Sequence, residues 1–157
     1  MKLFFILGNQ LFPPKYLTRF KNDHLIFMAE DLGLCTYEKH HKQKILLFLS
    51  SMRSYADKLK HNKFKLNYLN IEDKEFKDHP GSTDNIWFET EYTDVVKLLD
   101  FFIKEKSNLF GDYEDAVNQK DNILFHSALS PYINLGLITP EIIIQKIFEC
   151  HKKYKVR

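Results

Sequence analysis

Lys2 to Gly8 is a short apolar run closed by glycine, which suits a buried parallel strand better than a helix of that length. Gly8-Asn9-Gln10 is then the loop at its carboxyl end, the edge at which open α/β sheets hold ligands. Asp23 to Glu30 is a second apolar run of strand length, ending in acid. From Tyr37 to about Lys60 the period changes. Ile45, Phe48, Leu49, Met52, Tyr55, Ala56 and Leu59 recur at three- and four-residue steps, which predicts one stripe of a long amphipathic helix. Its other face carries Lys39, Lys42, Lys44, Arg53, Asp57 and Lys58. Lys63 to Leu69 alternates polar and apolar, a third strand. Strand, strand, long helix, strand opens a parallel α/β unit, because parallel neighbours need a crossover.

The pattern breaks after Leu69. Asn70 to Asp84 is rich in acids and lysines and contains His79-Pro80-Gly81-Ser82, a linker or turn signature. Glu91 to Lys106 reads as a helix with Val95, Leu98, Leu99, Phe102 and Ile103 on one side and Thr90 or Thr93 as its cap. Asn108 to Asn122 is polar and turn-rich. Pro140 starts a last helix, with Glu141 near the positive end of its dipole. Ile142, Ile143, Ile147, Phe148 and Cys150 form its expected buried side, and it frays into Lys152 to Lys155. Only Asn85 to Phe88 resembles a further strand. A sheet of about three strands is thin beside the usual ~4–6, so one face or edge is expected to lie open.

Composition narrows the class. Of 157 residues 44% are hydrophobic and 28% charged, which excludes wholesale disorder and collagen-like repeats. The formal charge of +2 is too small for a dedicated polyanion binder, and Arg19, Arg53 and Arg157 are the only arginines, so bidentate phosphate clamps are few. No apolar run approaches the ~20 residues that span a bilayer, and the apolar start has no small-residue cleavage site. Cys35 and Cys150 form no CxxC pair, so neither a metal site nor a disulfide framework is expected. A soluble, cytoplasmic protein without a membrane partner is the expectation.

Three constellations could carry chemistry. Tyr37 to Lys44 opens the long helix with His40 and His41 adjacent; neighbours on a helix diverge by about 100 degrees, so this is no i,i+4 metal pair. It is either a solvated basic helix start or a ligand site. Asn9 and Glu30 end two neighbouring strands, where a pocket would form if the edge binds anything. Leu124 to Pro131 places His126, Ser127 and Ser130 near a helix start. They either cap the helix and pack in its core, or offer hydroxyls and amides to a phosphate. No GxSxG surrounds Ser127.

The order of these motifs carries a resemblance. Leu7 to Leu11, Met28 to Asp31, Tyr37 to Lys44 and Ser51 to Ala56 resemble the amino-terminal domain of the photolyase-related branch of the cryptochrome/photolyase family, with its iron–sulfur bacterial cryptochromes and (6-4) photolyases. Phe110 to Ala116 followed by Leu124 to Leu137 is similar to the stretch opening that family's flavin-binding helical domain. The resemblance covers roughly residues 3–72 and 90–155. It implies an α/β fold: a partial Rossmann-like parallel sheet over 1–72, a linker or deletion junction over 73–89, and over 90–157 the first helices of the FAD domain. Family members are several times longer, which reads here as an internal deletion and a carboxyl-terminal truncation. Asn9 stands where the family's Gly-Asp-Gln loop has its acid.

The family function is FAD-dependent, light-driven repair of UV-induced pyrimidine dimers in DNA, a carbon–carbon lyase reaction, or blue-light sensing. By resemblance, FAD contacts fall on His126, Ser127, Ala128, Leu129, Ser130 and Asn134. Asn9, Glu30 and Tyr37, with His41 and Lys44 nearby, line a pocket for a lumazine- or pterin-type antenna. The iron–sulfur ligands and the residues nearest the lesion have no counterpart, so no catalytic residue is assigned and repair is expected to be incomplete. Binding of UV-damaged DNA is expected to be weak and electrostatic. The competing reading is a non-enzymatic α/β module binding a nucleotide or a protein, or a gene remnant.

Overall fold

Three strands form, all parallel and adjacent in chain order: β1 (Lys2–Phe5), β2 (His24–Ala29) and β3 (Leu66–Leu69). They belong to a computed structural model that describes residues 2–72, 76–121 and 123–154. Of the residues named above, Asn122, Lys155 and Arg157 lie outside it, as do the first three positions of the 73–89 junction. Two units are resolved, Met1–Glu91 and Tyr92–Arg157.

In the first unit, register pairs Phe4 with Ile26 and Phe5 with Phe27, and then Phe27 with Asn67 and Met28 with Tyr68. Paired residues share a face, so alternation sorts the sheet into two sides. Ile6, Ile26 and Met28 are buried on one of them. That side is covered by the 3-10 helix Pro14–Phe20, whose Phe20 ring stacks on Phe4 at 4.3 Å, and by the crossover helix α2 (Lys42–His61). The apolar stripe of α2 packs as its spacing predicts: Ile45, Leu49, Met52, Tyr55, Ala56 and Leu59 are all buried. Gly8 marks the closest approach. A Cβ there would lie 2.3 Å from Phe48 Cζ and 2.8 Å from Met52 Sδ. Tyr55 donates its hydroxyl to the Phe12 carbonyl at 2.6 Å, and burial raises the pKa of its phenol.

The long helix does not begin at Tyr37. Asp31, just past β2, accepts hydrogen bonds from the Gly33 and Leu34 amides at 2.7 and 3.3 Å and so caps a separate short helix, α1 (Leu32–Thr36). Tyr37 ends α1, and α2 starts five residues later under a His41 cap. Asn85 to Phe88 is not a strand; Phe88 is buried while Ile86 and Trp87 are exposed.

In the second unit α3 (Tyr92–Phe101) runs through a π-helical turn, Phe102–Lys106, into α4 (Ser107–Tyr113). The expected turn-rich stretch from Asn108 is therefore helical as far as Tyr113. Short α5 (Ser130–Leu135) ends at Gly136, whose φ of 78° the turn requires, and α6 (Pro140–Tyr154) follows. Val95, Leu99, Ile103, Tyr132, Ile138 and Ile142 make the core. The expected buried side of α6 is only partly right. Ile142 is buried, but Ile147 and Phe148 are exposed together with Ile144. Lys146 turns inward to pair with Asp100 at 3.2 Å.

One polar network ties the α/β unit together. Glu30, at the end of β2, has no side-chain exposure, and its oxygens accept from Arg53 Nε at 2.7 Å, Arg53 Nη2 at 3.1 Å, the Tyr68 hydroxyl at 2.6 Å and the Ile71 amide at 2.8 Å. Burial alone would raise the Glu30 pKa. The hydrogen bonds from Arg53, Tyr68 and Ile71, with the guanidinium charge, more than offset it, so the carboxyl titrates below its ordinary value of 4.5. A depressed carboxylate stabilises the fold above the ordinary value and loses that contribution as pH falls through the folded pKa. Arg53→Met leaves the carboxylate buried without its cation. Breaking a fully buried pair costs ~3–5 kcal/mol, and about 2 kcal/mol is expected here because the Arg53 side chain keeps 37% exposure. Urea unfolding should show this loss at pH 7, and the gap from wild type should narrow toward pH 4 as Glu30 protonates.

Candidate functional site

The carboxyl edge of the sheet gathers residues that are distant in sequence. β1 and β2 both end there, with the Ile6 amide bonded to the Phe27 carbonyl at 3.0 Å. The Gly8-Asn9-Gln10 turn follows β1, closed by Gln10 N on Leu7 O at 2.9 Å and by the Leu7 amide on Gln10 Oε1 at 3.2 Å; Asn9 is exposed on it. Helix α2 must return from this edge to the start of β3, so its amino terminus, with His41 and Lys44, lies at the same edge. Tyr37 stands beside it, 67% exposed, its ring edge-on to His40 at 4.9 Å. Topology thus brings Asn9, Tyr37, His41 and Lys44 to the same side of the sheet, and His40 joins Tyr37 to Lys44 there. Glu30 is at that rim but faces inward, its oxygens occupied by Arg53, Tyr68 and Ile71, so it orders the edge from beneath. Partial burial first, and then its hydrogen bond to this carboxylate, hold the Tyr68 phenol well above its usual pKa.

The start of α2 is anchored from an unexpected direction. Residues 76–84 fold back over it. The Lys42 amide bonds Pro80 O at 2.8 Å, Gln43 Nε2 donates to Asp84 O at 3.1 Å, and His79 Nδ1 donates to His40 O at 2.9 Å. His41 caps the helix by accepting the Gln43 amide on Nδ1 at 3.2 Å. Gly81, at φ 86°, lies flat against the His41 ring, and a Cβ there would sit 2.0 Å from Nε2. Lys44 Nζ is 3.3 Å from His40 Nδ1, which accepts from it. Of these partners, His40 lay in the candidate stretch Tyr37 to Lys44, whereas His79 and Gly81 were read from the sequence only as part of a linker or turn. The Pro-Gly turn beside a histidine was the available sign, since a positive φ beside an aromatic ring favours glycine. Cys35 is buried, and burial first, then the Glu30 and Asp31 charges, push its thiol pKa up. Among the described residues no three His, Cys, Asp or Glu side chains converge as metal ligands.

In the second unit, Asp121 Oδ1 accepts the Ile123 and Leu124 amides, bonds that hold its pKa below the usual range. The chain then reaches His126, exposed, and Ser127, half-buried. Ala128 sits at φ 53°, a left-handed conformation uncommon outside glycine, and buried Leu129 follows it. Ser127 Oγ accepts the Leu129 amide at 3.5 Å, which leaves its proton to donate outward. Ser130 and Asn134 are both exposed on α5. The Tyr132 and Ile133 amides bond the Leu129 carbonyl, so the donors this segment offers a ligand are side chains: the Ser127 and Ser130 hydroxyls, with the exposed His126 ring and Asn134 amide. Their chemistry fits a phosphate ester.

The family described as deoxyribodipyrimidine photo-lyase-related protein matches residues 4–100. These take in the sheet, α1, α2 and most of α3, and stop short of residues 126–134. A (6-4) photolyase of Agrobacterium fabrum (strain C58 / ATCC 33970) is 41% identical over 63 residues, 40% of this chain and 12% of that protein. Uncharacterized protein R853 of Acanthamoeba polyphaga mimivirus is 46% identical over 41 residues, 26% of this chain and 32% of its own length. The aligned stretches thus span a third or less of these relatives. With well over half of its residues inside the family match, the chain belongs to the deoxyribodipyrimidine photo-lyase-related proteins.

Proposed function

We propose that this chain is a chromophore-binding member of its family. Its α/β unit takes a flat heterocycle of the lumazine or pterin type at the sheet's carboxyl edge. Its second unit contacts the diphosphate of FAD through Ser127 and Ser130, with His126, Ala128, Leu129 and Asn134 around them. The single observation that carries the reading is Tyr37, two-thirds exposed with its ring edge-on to His40, whose Nδ1 accepts from Lys44, on the side of the sheet where parallel strands end and hold ligands. An exposed aromatic face beside cationic and amide donors suits a planar, polar ring.

FAD, when bound, supplies the excited electron for light-driven repair of pyrimidine dimers in DNA. This chain's residues would only hold and orient it. A ligand of that size needs ~70–90% of its surface enclosed, and two serine hydroxyls and an exposed asparagine secure only its phosphate end. Repair is therefore incomplete on this chain alone, and contact with UV-damaged DNA is weak and salt-sensitive.

The visible spectrum of the purified protein tests the flavin half. A colourless preparation that binds added FAD weakly is expected, with Ser127→Ala and Ser130→Ala reducing that residual affinity and leaving thermal unfolding unchanged. Stoichiometric flavin retained through purification would overturn the claim of incompleteness. Titration of lumazine fluorescence tests the other half. Saturable binding is expected, weakened about 10-fold by Tyr37→Ala, the scale of one lost stacking contact. Gly81→Ala should weaken it comparably, because the added methyl displaces the His41 ring. Binding that neither variant alters would place the ligand elsewhere.

A further inference from the structure

The side of the sheet facing away from α2 carries Leu3, Phe5 and Leu7 from β1 and its continuation, Phe27 from β2 and Leu69 from β3. Leu3 is 50% exposed, Phe5 and Leu7 59% and Leu69 52%. They are contiguous: Phe5 pairs with Phe27 in register, the rings edge-to-face at 5.4 Å. Parallel sheets are otherwise covered on both faces. Topology explains the opening here. Strands laid down in the order β1-β2-β3 with right-handed connections put both crossovers on the same side.

We infer that a second copy of this chain covers this face, sheet against sheet, in a two-fold dimer. Half-exposed side chains of this size leave roughly 100 Å² each, so Leu3, Phe5, Leu7 and Leu69 alone present on the order of 400 Å². That is the patch size that marks an interaction surface, and about half of the ~800 Å² per partner in a standard interface, before the half-buried Leu25 and Phe27 of the same face are added. The strand positions on the face are apolar apart from the neutral Asn67, so it selects no partner of opposite charge. It is complementary to itself, and two copies of one patch close into a dimer without further growth. A net charge of +2 offers little repulsion between copies.

Sedimentation of the full chain from about 1 to about 100 µM, the range around a micromolar Kd, tests this. A dimer that dissociates on dilution is expected. Phe5→Lys should raise its Kd by about 100-fold, as loss of a central aromatic anchor does, while far-ultraviolet dichroism stays unchanged. Leu69→Lys, at the other edge of the same face, should act alike and guards against misfolding of the first variant. Phe148→Lys on α6 should leave the dimer intact. A wild-type monomer throughout the range, an open-ended series of larger species, or a dimer that survives both face variants would each overturn the inference.

Discussion

The handedness of the connections between parallel strands governs the α/β unit. A right-twisted strand that feeds a crossover into the next parallel strand must do so right-handedly, and a sheet extended in one direction only receives every crossover on one side. Here that side holds the 3-10 helix and α2 over Ile6, Ile26 and Met28. The same rule sets where α2 begins. Leaving β2 at its carboxyl end and returning to the start of β3, the helix has to open on the carboxyl side of the sheet, and it passes Gly8 at Phe48 and Met52. A rim of exposed polar and aromatic groups on one edge and an apolar face on the far side are two results of one constraint.

The start of α2 violates a local rule. Helix amino termini favour acids, yet this first turn has none, and Lys39, Lys42 and Lys44 surround it. Such a start is costly by a few tenths to ~1 kcal/mol per misplaced charge. The fold holds it by other means: the His41 cap, the Lys42 amide bonded to Pro80, and His79 bonded to the His40 carbonyl. Midway along the helix the Glu30–Arg53 pair fastens α2 to β2. Departures from local preference that are braced by long-range contacts are found at functional sites. That is consistent with the ligand reading of this rim.

Much of this was legible in the sequence. The apolar runs marked three strands, and the three-four spacing from Ile45 to Leu59 identified the buried stripe of α2. The parallel α/β class followed from their order. Other features left no local sign. The periodicity of α6 showed that Ile147 and Phe148 are apolar, but amphipathicity says nothing about which stripe a neighbour covers, and both are exposed. Glu30 closed the second apolar run in the sequence, and only the bonds of the next residue, Asp31, to Gly33 and Leu34 reveal a helix cap and the break before Lys42. His79 meets His40 across 39 residues, a separation that no window of periodicity can register. The ends of the candidate edge could be read from the strands, whereas the bracing of that edge could not.

Hydroxyl-radical footprinting of the dilute chain tests the one-sided cover most directly, because it reads both faces of the sheet in one experiment. Leu3, Phe5 and Leu69 should be modified readily at high dilution, while Met28 beneath α2 and Met52 on the buried side of that helix, 0% and 1% exposed, stay protected despite the greater intrinsic reactivity of their sulfur. Equal modification of Met28 and Phe5, or protection of Phe5 at a dilution where the chain is monomeric, would contradict the account.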